Sequence, residues 1–383
     1  MPIPARQSGL LDRPVTAALR AGYAWSTRHE RPEAWREVAR MTGVIMRSFG
    51  PGRGPVTPSE LLPLLHRPLG DWLPGAAEDE VLADMVILDD RDELTDATFE
   101  IGCDYTVELL AGQVDPGERW LPSWRMHRAE QVENATFETL ISGSDREYSA
   151  GRRFLIDYPA GDQKRLLGLR NDLGLPPLAE FTAIPHERQF RGWWWPCPEC
   201  RWPMRVRAGR VNCCFPHHRA SYILLDSGKG TPRLQPMDGA RRAGLAQAVE
   251  GAVCVDESIW RYIVVPGVVE VRLYDRIVGL QGVTASLYPG KDLYDIQAEP
   301  ADTPAGQPPK WDFTIDLKDH SSARTLADKI ITNPVAARYV VLPNYRKSQL
   351  KELGRLLPSI TMMTEDRVYN RIKQTLARHR DAQ

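Results

Sequence analysis

Trp311-Asp312-Phe313-Thr314-Ile315-Asp316-Leu317-Lys318 alternates between apolar and polar side chains along its whole length. Successive side chains of an extended strand point to opposite faces. Trp311, Phe313, Ile315 and Leu317 therefore share one face, and Asp312, Thr314, Asp316 and Lys318 the other. Asp316 and Lys318 project side by side from one strand end. A carboxylate two residues before a lysine suits metal-assisted phosphodiester hydrolysis. The carboxylate holds Mg²⁺, and the lysine orients the attacking water or offsets the charge that develops. The pattern alone is common. Its other occurrence, Asp162-Gln163-Lys164, sits in a polar, helix-like stretch and reads as incidental.

Working outward, the chain from about Leu245 mixes helix and strand patterns, which makes an α/β domain. A helix is expected over 267–279, strands over 283–288 and 293–298, and a Pro-rich turn over 300–309. After the strand at 311–318 come a helix at 322–332, a strand at 338–343, and helices at 346–357 and 365–379. A second metal ligand belongs on the neighbouring strand. Asp295 begins it, 21 residues before Asp316, and Asp292 is the fallback. Glu270, on the preceding helix pattern, is either an accessory that binds metal through water or fixes the lysine, or a surface glutamate.

Upstream lies a second chemistry. Cys197-Pro-Glu-Cys200 is followed by twelve residues and then Cys213-Cys214-Phe-Pro-His217-His218. A Cys-x-x-Cys knuckle followed at this distance by a second Cys/His group fits a tetrahedral structural Zn²⁺. We assign Cys197, Cys200, Cys213 and His217, with Cys214 and His218 as alternates. The intervening segment reads as a hairpin turning near Gly209, the middle of a zinc ribbon. Residues 186–219 also hold seven arginines and four tryptophans. Arg201, Arg205, Arg207 and Arg210, interleaved with Trp residues, suit phosphate contacts and base stacking. The same tryptophans equally suit the ribbon's own small core.

The remaining sequence sets the boundaries. The 383 residues suggest two or three domains, and 42% hydrophobic content supports real cores. Residues 1–180 read as a mostly helical domain, 185–228 as the ribbon, 229–244 as a Gly/Pro/Arg-rich linker and 245–383 as the α/β domain. Helical spacing marks Ala34–Met46 (through Trp35, Val38, Met41 and Ile45), with similar patterns at 61–65, 81–88 and 99–110. Twelve acidic residues and one basic one, Arg91, lie between Glu78 and Glu108, and read as a solvated face. No apolar run is long enough for a membrane span, and no signal pattern opens the chain, so a cytoplasmic location is expected. Clustered cysteines in such a chain indicate metal rather than a disulfide scaffold, with Cys103 and Cys254 standing apart.

The order helix, three strands, helix, strand, with Asp295 on the second strand and Asp316-x-Lys318 on the third, resembles the PD-(D/E)xK restriction-endonuclease-like superfamily. The resemblance covers about 245–345, an αβββαβ core. The stretch Trp311 to Asp319 after Tyr294-Asp295, together with the ribbon, is similar to the restriction-endonuclease-related proteins encoded beside pPIWI-RE proteins and helicases in bacterial defence islands. No proline directly precedes Asp295, a departure from the superfamily pattern that leaves the second ligand open. The resemblance implies Mg²⁺- or Mn²⁺-dependent DNA cleavage in antiviral defence. Asp295 and Asp316 would bind the metal, Lys318 would orient the nucleophile and Glu270 would assist. It also implies defence-island partners and, since cutting both strands commonly takes two sites, a homodimer. The competing reading is a non-cleaving nucleic-acid-binding or scaffold subunit.

Overall fold

The computed structural model describes residues 12–29, 34–50, 52–79, 81–98, 135–136, 138–226, 228, 230–304 and 306–381. The chain divides into two units, Met1–Arg128 and Ala129–Gln383. No described helix is long and apolar enough to cross a membrane.

In the first unit, α1 (Asp12–Ser26) packs along α2 (Ala34–Met46), followed by α3 (Pro58–Leu64). α2 buries Val38, Met41 and Ile45, as its spacing predicts, while Trp35 stays half exposed against Trp25 at the margin. Thr57 and Glu60 close a capping box at the start of α3, with Pro58 in its first turn. The helix expected at 81–88 does not form. The Asp79 carboxylate accepts from the backbone N–H groups of Val81 and Leu82, at 2.9 and 3.1 Å, and fixes a turn there. Leu82, Met85, Ile87 and Leu88 are buried all the same, so the apolar pattern recorded burial without helix. The helix expected at 99–110, Cys103, Glu80 and the acidic residues after position 98 lie outside the described residues.

The second unit starts well before the boundary expected near 180. Helix α4 (Asp145–Asp157) begins at a Ser144/Glu147 capping box and packs on a helix more than a hundred residues downstream. Strand β1 (Ala160–Asp162) leads into α5 (Gln163–Asp172), and Asp162 caps it by accepting from Arg165 N–H at 2.9 Å. The Asp162-x-Lys164 motif is thus a helix cap, in keeping with its incidental reading. After β2 (Phe181–Ala183) and β3 (Trp193–Trp194) comes an antiparallel sheet of β4 (Arg205–Arg207), β5 (Arg210–Asn212), β6 (Ser221–Leu225) and β7 (Arg233–Pro236), in that order. Ala208 and Gly209 both take positive φ in the β4–β5 turn, as a two-residue hairpin requires. β7 lies inside the expected linker 229–244, which is therefore partly sheet. β8 (Gln247–Ala248) pairs with β3, and β9 (Ala252–Val255) runs between β1 and β2.

A short helical turn then widens to π geometry over Trp260–Val264 and enters α6 (Val265–Val278). Pro266 has no N–H to donate, and the wide turn accommodates it. Strands β10 (Val283–Leu287), β11 (Ile296–Pro300) and β12 (Phe313–Leu317) pair antiparallel. Helix α7 (Ala323–Thr332) crosses to β13 (Tyr339–Leu342), which is parallel to β12. Helix α8 (Leu350–Leu356) crosses to β14 (Thr361–Thr364), parallel to β13, and α9 (Glu365–Asp381) ends the chain. The expected αβββαβ order is present, with a fifth strand, β14, that the sequence reading left out.

The five-stranded sheet separates two cores. Phe313, Ile315 and Leu317 of β12 join Tyr339 and Val341 of β13 in the larger one, which continues to α6, α9 and the ribbon tryptophans. Val340 and Leu342, on the other side of β13, pack with Leu326 and Ile330 of α7 and Leu353 of α8. Adjacent residues of α7 test this arrangement. Ile330 is 3% exposed and Ile331 57%. Ile330→Ala should cost about 2–5 kcal/mol in urea denaturation, and Ile331→Ala less than about 0.5. Equal losses would mean that α7 presents a different face to the sheet.

Candidate active site and metal cluster

The β11–β12 register sets Ile296 opposite Ile315. Asp295, just before β11, donates its N–H to Ile315 O at 3.0 Å, and its Oδ2 accepts from Leu317 N–H at 2.5 Å. Asp295 is thereby fixed beside the end of β12 that carries Asp316 and Lys318. Lys318 Nζ sits 2.8 Å from Asp316 Oδ1. Asp295 and Asp316 are both buried. Burial, reinforced by Glu270 and Asp316, pushes the Asp295 carboxyl well above the usual range. Burial works against the Lys318 charge, but Asp316, with Asp295 and Asp292, more than offsets it and raises that group's pKa.

Glu270 is no surface glutamate: α6 holds it buried next to these groups. Its two oxygens accept from Arg152 Nη2 at 3.2 and 3.0 Å, and Oε2 also accepts from Tyr288 O–H at 2.5 Å. Burial raises its pKa against the pull of the Arg152 charge. Arg152 comes from α4 and also lies 2.5 Å from Asp292 Oδ2 through Nη1. Its guanidinium stacks 4.1 Å above the Tyr288 ring. Gly267 lets α4 and α6 approach, because a Cβ there would meet Ile156 at 2.3 Å. Tyr288 and Asp292 enter the site from a turn with a run of positive φ: Tyr288 54°, Gly290 63°, Lys291 56° and Asp292 79°. Arg152 and Tyr288 gave no signal in the sequence reading. The helical stripe Tyr148, Arg152, Leu155 on α4 was the only trace.

The segment expected to form a zinc ribbon gathers a second set of side chains of metal-ligand type. Among the described residues, the cluster of metal-type ligand atoms lying within 4.8 Å of one another is Cys197, Cys200, Cys213 and His218. Cys200 and Cys213 sulfurs are 3.9 Å apart, and His218 Nδ1 lies 3.7 and 3.3 Å from Cys197 and Cys213. Zn–S bonds of about 2.3 Å and Zn–N bonds of about 2.0 Å, set tetrahedrally, place ligand atoms roughly 3.5–3.8 Å apart. The donor set fits such an ion. Without a cation, burial and the neighbouring thiol of Cys200 push Cys197 well above the normal thiol range.

Two expectations change here. His217 is not in the cluster, and the alternate, His218, takes its place. Pro216–His218 is a single 3₁₀ turn, so adjacent histidines point in different directions. His217 stacks flat on Tyr345 instead, with centroids 4.2 Å apart. Cys214 faces Arg188 Nη1 at 3.5 Å rather than the cluster. The tryptophans settle as core: Trp194, Trp195 and Trp202 are buried, and Trp202 stacks on Trp260 at 4.5 Å. Arg201 is ion-paired to Asp157 at 2.5 Å. Arg205, Arg207 and Arg210 share one sheet face, with Arg207 directly opposite Arg210.

Two family models match the chain. The pPIWI_RE three-gene island domain Y covers residues 10–162, and the REase associating with pPIWI_RE covers 267–380. The chain is related to the restriction-endonuclease-like proteins of pPIWI-RE defence islands. No curated protein and no solved structure matches it. The REase match spans Glu270, Asp295, Asp316 and Lys318, and the pPIWI-RE domain Y match spans Arg152. The ribbon cysteines fall between the two matches.

The ligand assignment in this pPIWI-RE-related chain can be checked by metal content. Cys213→Ser and His218→Ala should lose bound zinc on gel filtration, whereas His217→Ala should keep one equivalent. Zinc lost from His217→Ala and kept by His218→Ala would reverse the assignment.

Proposed function

We propose that the protein is a metal-dependent DNA endonuclease of a bacterial defence system. The observation that carries this reading is one strand end with three groups in contact range. Asp295 and Asp316 are buried side by side, and Lys318 is ion-paired to Asp316, within the segment the REase model matches.

Mg²⁺ or Mn²⁺ suits the carboxylates. Asp295 and Asp316 offer hard oxygen donors, and burial next to Glu270 and Asp316 raises the Asp295 pKa despite the Arg152 charge. When bound, such an ion supplies Lewis-acid stabilisation of the phosphoryl oxygens. Asp295 and Asp316 would hold it. Lys318 keeps its ammonium at the strand end, where it orients the attacking water and offsets charge on the phosphate. Leu317 N–H locks the Asp295 carboxylate in one orientation, which limits reorganisation during reaction. Arg205, Arg207 and Arg210 form the proposed phosphate-tracking face of the ribbon, and the buried tryptophans serve its packing. The cluster of Cys197, Cys200, Cys213 and His218 carries the proposed structural zinc. Partnership with a pPIWI-RE protein is supported by the names of both family models, and a helicase partner is proposed from the resemblance alone.

The test is cleavage of plasmid and single-stranded DNA with Mg²⁺ or Mn²⁺. Asp316→Ala and Lys318→Ala should each lower the rate by about 10²-fold or more, with unchanged circular dichroism and zinc content. Cleavage that survives both substitutions would overturn the assignment of this site.

A further inference from the structure

Four carboxylates act electrostatically on one another near the end of β12: Glu270, Asp292, Asp295 and Asp316. Two protein cations stand among them, Arg152 and Lys318. With all four ionised, as metal binding requires of the ligands, the surplus is two negative charges, which a single divalent cation balances. The hydrogen bonds say where that surplus lies. Glu270 is saturated, since Arg152 and Tyr288 together engage both of its oxygens. Asp292 gives Oδ2 to Arg152. Asp292 is also bonded to the Tyr148 hydroxyl. Asp295 and Asp316 each keep an oxygen that no protein donor described above engages. Among the described residues, no three carboxylates converge as the Cys/His ligands do.

Arg152 is also expensive to place. It is buried, and an unpaired guanidinium there would be strongly unfavourable. The fold supplies two carboxylates, a Tyr148 hydroxyl at 3.2 Å and an aromatic face to hold it. A planar fork of this kind fixes two anions in one orientation, which a hydrated ion does less rigidly. Sites that work with two metals place the ions about 3.5–4 Å apart to clamp attacking and leaving oxygens. Here the guanidinium fills the carboxylates that a second ion would need.

Resting on the nuclease reading above, we infer that the site takes one divalent cation, held by Asp295 and Asp316, and that Arg152 is a positioning residue whose fixed charge replaces a second ion. Glu270 is then the anchor of Arg152, not a metal ligand. Because Arg152 lies in the segment matched by domain Y, the REase segment does not complete its own site.

Binding of Mn²⁺ to the zinc-loaded full-length protein, followed by the paramagnetic resonance of free Mn²⁺, tests this without any cleavage assay. The wild type should bind one Mn²⁺ at this site. Asp295→Asn and Asp316→Asn should each abolish it, and Glu270→Gln should leave it in place with less than about tenfold change in affinity. Arg152→Met, which leaves Glu270 and Asp292 unpaired, should gain a second Mn²⁺. The double variant Arg152→Met/Glu270→Gln should return to one, and it covers the case in which the single variant is too unstable to measure. Two ions in the wild type, or loss of binding in Glu270→Gln, would overturn the inference and leave the nuclease reading standing. Wild-type binding that Asp295→Asn and Asp316→Asn do not alter would instead remove the metal-site reading itself.

Discussion

The site depends on one backbone constraint, the antiparallel register of β11 against β12. Asp295 reaches Leu317 N–H only because Ile296 stands opposite Ile315. A slip of one residue would turn Asp316 into the core and Ile315 out of it. The apolar set Phe313, Ile315 and Leu317 opposes that slip, since all three are buried. Hydrophobic burial on one side of the strand thus fixes chemistry on the other.

The Cys/His segment is joined to the elements around this sheet by three separate contacts. Trp260, in the π turn before α6, donates to Cys200 Sγ at 3.2 Å while stacking on Trp202. Glu199, inside the Cys-x-x-Cys knuckle, lies 3.7 Å from Arg272 of α6. Arg272 in turn pairs with the fully buried Glu365 at 2.8 Å, and Glu365 accepts from Asn344 N–H after β13. His217 stacks on Tyr345, whose hydroxyl donates to Asp319 at 2.5 Å, next to Lys318 in the chain. The cysteine cluster and the carboxylates are therefore mechanically continuous within this unit.

Much of this was legible in the residues. The α/β order after position 265 followed from period-2 and helical spacing; Asp316 and Lys318 were singled out by alternation, and Asp295 by its place at the start of the neighbouring strand, with Asp292 as the fallback. β14 was missed because Thr361–Thr364 is only four residues long and lies in the gap between the two expected helices, 346–357 and 365–379. The choice between His217 and His218 turned on the rotation of a single 3₁₀ turn, which spacing does not encode. Arg152 and Arg153 are neighbours in a polar-looking helix. One is buried in the site, and the other is half exposed against Asp157 and Asp275. That difference comes from the packing of α4 on α6, a contact between distant segments that no local pattern announces.

The Arg152–Glu270 pair spans 118 residues. It also ties together the spans that two separate family models describe. Such a pair changes how the chain can be inherited. A recombination event that joined one lineage's residues 10–162 to another's 267–380 would have to deliver arginine and glutamate to the same two helical turns at once. A mismatch would bury a lone charge at the heart of the site. The two halves are therefore expected to travel through gene exchange as one piece, and substitutions at either position to be tolerated only in company.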